Sequence, residues 1–199
     1  MARKHESTTV RQKQIVNAAR KVIIKYGSEH ITVKRIAKEV GISEAAIYRH
    51  FKSKKDVLSL LADHIEQSLV GDITRITTEG HTPLEILDGV LRSHLSAVEQ
   101  RRGISFQVIA EIISLGDKRL NKKISHAIDR YMDCLKNLLA EGVRSGEVRE
   151  DIDSDAAATA LFGIVQGLAN IWALSNYSFD LQEKYSPLWN FFREAVIKR

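Results

Sequence analysis

The stretch Thr32 to Phe51 (TVKRIAKEVGISEAAIYRHF) constrains this 199-residue chain more than any other part of it. Thr32 is a good N-cap, and Val33, Ile36, Ala37 and Val40 place one apolar stripe on a short helix. Gly41 ends that helix, because a residue without Cβ takes a positive φ at no steric cost. Ser43 caps a second helix whose buried side is Ala46, Ile47 and Phe51. Ala37, Gly41 and Ile47 stand at the small, turn and apolar positions that let two helices cross through a turn of about three to four residues. The pattern is a helix-turn-helix, and it predicts DNA binding.

Charge points the same way. Residues 1–60 hold 14 Lys and Arg against 5 Asp and Glu, whereas the other 139 hold 16 against 20. A basic N-terminal part coinciding with the motif is what a phosphate-neutralising module requires. A merely solvated basic face is the bland alternative, and a module for membrane or RNA is another. The second would leave the recognition helix idle. The chain carries 44% hydrophobic residues, two prolines and long segments of 3.6 period, which predict an all-α protein. The single Cys134 excludes an intramolecular disulfide and suits a reducing cytoplasm. Met1-Ala-Arg-Lys-His-Glu lacks the apolar stretch of a signal peptide. The most apolar run, Leu161–Leu174, reads as too short for a membrane span and contains Gln166 and Asn170. A soluble, cytoplasmic protein without a membrane partner is expected.

Helical periodicity divides the remainder. Val10 to Tyr26 forms a first helix with Ile15, Ala18, Ala19, Val22 and Ile23 inward and Gly27 as its stop. Ser53-Lys-Lys-Asp56 has capping-box spacing and opens a long helix running through Val57, Leu58, Leu60, Leu61, Ile65, Leu69, Ile73 and Ile76 toward Thr78. Thr82-Pro83-Leu84-Glu85 is a second capping box. Arg101-Arg-Gly103 interrupts the helix it opens, and a short apolar segment follows to Gly116. A long helix from Lys118 to Arg144 ends at Gly142 and Gly146. Asp153 or Ser154 caps the next helix, and Ser186-Pro187 opens the last.

Three segments, Thr32-Val-Lys-Arg-Ile-Ala, Gly41-Ile-Ser and Ile47-Tyr-Arg-His-Phe-Lys-Ser-Lys-Lys-Asp-Val-Leu58, resemble the TetR family of bacterial transcriptional repressors. The likeness is strongest over residues 10–60 and most specific in the third segment. It implies a helix-turn-helix DNA-binding domain at 1–53, joined by a long helix to a helical effector-binding and dimerisation domain at 54–199. In such a protein the helix beginning at Ser43 enters the major groove. Ser43, Glu44, Ala45 and Arg49 are then the candidates for base edges, with Arg49 bidentate to guanine. Tyr48 and His50 match the family's phosphate-contacting pair, and Thr32, Lys54 and Lys55 are further phosphate candidates.

The resemblance also implies a small-molecule pocket in the body and a homodimer whose symmetry suits a palindromic operator. Apolar candidates for the pocket are Leu61, Ile65, Leu69, Phe106, Ile109, Ile113, Tyr131 and Trp172, with His94, Gln107, Asn170 and Asn176 as polar ones. For the dimer interface they are Ala160, Gly163 and Gly167, then Leu188, Trp189, Phe192 and Val196. An enzyme has little support. The seven histidines are scattered, His94, His126 and Glu111 have no ligand spacing, and no HExxH, GxGxxG, P-loop or GxSxG occurs. No metal and no cofactor are expected.

Overall fold

A computed structural model of the chain describes residues 8–74 and 80–198. The Met1-to-Glu6 leader and the expected helix end at Ile76 and Thr78 lie outside the described residues. Among these residues the fold is all-α, with one isolated antiparallel bridge between Val148 and Ile197. The chain divides into two compact units.

The first unit holds the described residues up to Ile65 together with Ile104–Ile124. Helix α1 (Thr8–Tyr26) buries Ile15, Ala18, Ala19, Val22 and Ile23 as expected, and Val16 with them. Gly27 stops it at φ 94°. Helices α2 (Val33–Val40) and α3 (Glu44–Tyr48) follow, packed on α1 and on each other respectively. Helix α4 (Lys54–Thr74) then runs uninterrupted, with Val57, Leu58 and Leu61 in the core. Helix α6 (Ile104–Leu115) also belongs to this unit and packs on α1. Its buried row is Ile104, Val108 and Ile112, spaced i, i+4, i+8.

The second unit contains Glu66–Gly103 and the described residues from Ser125 onward. Helix α5 (Pro83–Gln100) begins with the expected capping box: Thr82 Oγ1 accepts from Glu85 N–H and Glu85 Oε2 accepts from Thr82 N–H at 2.8 Å. Glu147 closes the same end, accepting from the Thr82 hydroxyl at 2.7 Å and from Leu84 N–H at 3.1 Å. Arg102 and Gly103 break the chain at φ 51° and 65°. Helix α7 (Lys118–Ser145) contributes residues to both units. Gly146, at φ 78°, terminates it. Gly142 does not: it lies inside the helix, where a Cβ would meet Val148 Cγ2 at 2.6 Å.

Helix α8 (Ser154–Leu174) is capped by Asp153, whose carboxylate accepts from Ala156 N–H. At 21 residues it is longer than the apolar run implied, and by length and composition it matches a membrane span. Its row Leu161, Val165, Leu168 and Trp172 is instead buried in the core of its unit, against α9. Helix α9 runs Leu181–Val196, so the expected start at Ser186-Pro187 is wrong by more than a turn. Asp180 is the cap, and Pro187 sits exposed inside the helix. Leu181 and Tyr185, both 0% exposed, anchor the extra turn in the core, and that burial outweighs one lost backbone hydrogen bond.

Candidate nucleic-acid interface

The helix-turn-helix is built by local rules. Thr32 has extended backbone and its Oγ1 accepts from Arg35 N–H at 3.2 Å. Gly41, at φ 76°, donates to Ala37 and Lys38 carbonyls, and Ile42 N–H returns to Ala37 O at 3.0 Å. Ser43 Oγ accepts from Ala46 N–H. Ile47 is fully buried, and His50 and Phe51 N–H groups both close on its carbonyl. One side chain thus fixes the helix while the opposite face remains free. Glu44, Ala45, Tyr48, Arg49 and His50 are exposed, as are Thr32 and Ser43 at the caps. Tyr48 is 49% exposed, so it does not pack back on the domain.

Lys54 and Lys55 stand differently. The Ser53–Asp56 box forms as the spacing implied, and Asp56 Oδ2 also accepts from Lys52 N–H at 2.6 Å. Within that turn Lys54 Nζ lies 2.7 Å from Glu111 Oε1 and Lys55 Nζ 2.7 Å from Asp117 Oδ2. The Lys55 ammonium, with the Leu120 and Arg119 N–H groups, holds the Asp117 carboxyl below the ordinary range. Both partners are invisible to local pattern reading, because they come from 57 and 62 residues away. Sequence reasoning also missed Arg35, stacked 4.9 Å over the Tyr26 ring.

The twelve expected pocket residues are divided between the units. Leu61, Ile65, Phe106, Gln107, Ile109 and Ile113 belong to the first, and Leu69, His94, Tyr131, Asn170, Trp172 and Asn176 to the second. Leu61, Ile65, Leu69, Tyr131 and Trp172 are buried, and Phe106, Gln107 and Ile109 half-buried. Ile113, 65% exposed, falls beyond the Ile104–Val108–Ile112 row, and Asn170 faces away from the Leu168–Trp172 row, so neither points into a core. Asn176 lies exposed in the turn after α8, at φ 55°. In the second unit His94 Nδ1 is 3.1 Å from the Tyr131 hydroxyl, with the rings edge to face at 5.2 Å. Burial, with a smaller contribution from Arg101, pushes the His94 pKa down to about 4, so the ring is neutral at neutral pH. Glu111 belongs to the first unit and pairs with Lys54, and His126 is exposed.

A profile of tetR-family bacterial regulatory proteins matches residues 15–61, and that of the C-terminal region of YsiA-like proteins matches 62–195. This chain belongs to the tetR family. Its TetR-type helix-turn-helix makes it a DNA-binding transcriptional regulator. The fatty acid metabolism regulator protein of Bacillus subtilis is 28% identical over 84% of the chain and 86% of its own length. The nucleoid occlusion factor SlmA of Vibrio cholerae is 32% identical over 83% and 81%. Among solved structures, the transcriptional regulator FadR from Bacillus subtilis in complex with stearoyl-CoA has a TM-score of 0.74 and 27% identity, covering 94% of this chain and 97% of that one.

At the C-terminal end of this TetR-type chain, Ala160, Gly163 and Gly167 are exposed along α8, and Leu188 is 37% exposed on α9. Trp189, Phe192 and Val196, expected with them, are at most 6% exposed and pack inside their own unit, with Trp189 stacked between Tyr185 and Phe192. Phe191, 76% exposed, takes the outward place instead. It borders an apolar groove of about 330 Å³ between α8 and α9, lined also by Ile152, Ala156, Ala160, Ile164 and Ala195. The expectation thus put Trp189, Phe192 and Val196 on the outward side of α9, whereas the core of the unit takes them.

Proposed function

We propose that this TetR-family chain is a cytoplasmic homodimer that represses transcription from a palindromic operator, and that a long-chain acyl-CoA releases it. The supporting observation is the near full-length likeness to the FadR regulator solved with stearoyl-CoA, together with that to the fatty acid metabolism regulator protein of Bacillus subtilis. DNA contact rests with residues 1–53, through Tyr48 and His50 on phosphates and Arg49 on a base. Residues 54–199 carry the effector site and the α8–α9 dimer face. Release follows if the acyl-CoA binds more tightly to the conformation in which the two recognition helices no longer match successive major grooves about 34 Å apart. The chain acts by binding, not by catalysis.

The test is operator selection from random duplex DNA, then titration of the complex with stearoyl-CoA, stearate and CoA. Release by stearoyl-CoA alone supports the proposal. The SlmA relative, at comparable identity, favours a second reading: a factor that occupies DNA without acyl-CoA control. Selective binding unaffected by stearoyl-CoA identifies that reading. A selection that enriches no palindrome refutes both.

A further inference from the structure

Lys54 and Lys55 follow the recognition helix by only a few residues, yet each ammonium already has a carboxylate partner. Glu111, on α6, is 15% exposed at its side chain, and Lys54 is 29% exposed. The Glu29 carbonyl also accepts from Lys54 at 3.5 Å. Asp117 lies in the turn between α6 and α7 and does two jobs: Oδ2 holds Lys55 while Oδ1 accepts the Arg119 and Leu120 N–H groups that open α7. Lys123 of α7 reaches back to α4, 2.5 Å from Asp63 Oδ1 and 2.9 Å from Ser59 Oγ. All these residues lie in the unit that contains the helix-turn-helix.

Phosphate and carboxylate compete for the same ammonium protons. A lysine held at 2.7 Å by a carboxylate contributes to counterion release on DNA only after that pair opens. We infer that Glu111 and Asp117 form an acidic latch that competes with DNA phosphates for Lys54 and Lys55, so the α6–α7 corner sets operator affinity. A corner that moves away frees two cations for DNA. An effector that favours the closed corner withdraws them. This second step rests on the effector-released reading above, and the competition itself does not.

The measurement is fluorescence anisotropy of the full-length chain on duplex DNA against KCl concentration. Glu111→Gln and Asp117→Asn, the latter retaining a helix-capping oxygen, are each expected to tighten binding about 3- to 10-fold at 0.1 M salt. The slope of log K against log salt steepens by about 0.9 for each lysine released. Asp63→Asn makes the same change in formal charge but frees Lys123, and it leaves the slope unaltered. In a Lys54→Met/Lys55→Met background, Glu111→Gln has no further effect. The latch is overturned if the folded variants keep the wild-type slope, if Asp63→Asn matches them, or if the change persists without the two lysines. Stearoyl-CoA should release Glu111→Gln less readily than wild type. If slopes shift as expected but stearoyl-CoA releases neither protein, the acyl-CoA reading fails and the latch stands.

Discussion

Tyr48 and Arg49 are adjacent and both exposed, but their chemistry separates their expected roles. Arg49→Ala is expected to relax preference at one base pair by about 1–3 kcal/mol. Tyr48→Phe should weaken binding on all sequences alike, because a hydroxyl on phosphate reads no base. Selection and sequencing on the two variants separates these outcomes. His94 gives a pH prediction of definite sign. Its folded pKa of about 4 lies below the ordinary 6.5, so the unfolded chain binds a proton first. Stability contributed by the neutral ring is complete above pH 6.5 and falls as pH drops toward 4, by roughly 3 kcal/mol. His94→Gln should flatten that part of the stability profile in chemical denaturation. An unchanged slope in the variant would assign the acid sensitivity to other groups.

Two helices carry features that simple propensity misjudges. Gly142→Ala inside α7 should gain about 1 kcal/mol from helix propensity. The new Cβ would, however, sit 2.6 Å from Val148, a stiff, fully buried side chain, and overpacking there costs about 1–3 kcal/mol. Net destabilisation is expected, and adding Val148→Ala should relieve the clash. The opposite sign applies in α9. Pro187 is exposed and lies six residues past the first residue of the helix, so Pro187→Ala should raise stability by about 2 kcal/mol in urea titration. A loss would show that Pro187 maintains a bend the packing of Tyr185 and Trp189 needs.

At the scale of the molecule, the strongest unmet demand is apolar. Ile171, Leu174 and Phe191 are 60%, 85% and 76% exposed on α8 and α9. Large apolar side chains left in solvent on one pair of helices mark an interaction face, the one the proposed homodimer would use. Light scattering should give twice 22.4 kDa for the wild type. Phe191→Asp should shift the protein toward monomer and weaken operator binding together, because each half-site gains affinity from the other only when they are linked. A Phe191→Asp protein that remains dimeric would place the interface elsewhere.

The helix-turn-helix was legible residue by residue because everything that makes it is local. Thr32, Gly41 and Ser43 satisfy backbone groups within four positions of themselves, and Ile47 and Phe51 follow the helical period. Both capping boxes and the Arg102-Gly103 break belong to the same class. Local chemistry failed at Ser186-Pro187, where a good start signal lost to the burial of Leu181 and Tyr185. It also put Trp189, Phe192 and Val196 on the outward side of α9, although all three are buried, and placed Ile113 in a pocket although α6 needs only one row for its core. Sequence by itself determined most of the helices, their caps other than that of α9, and which side chains α3 leaves exposed, since these depend on neighbours within about one turn. Only the tertiary structure decided that Lys54 and Lys55 meet Glu111 and Asp117, that His94 meets Tyr131, and that Trp189 turns inward while Phe191 does not. Pairings across tens of residues leave no period and no spacing in the chain.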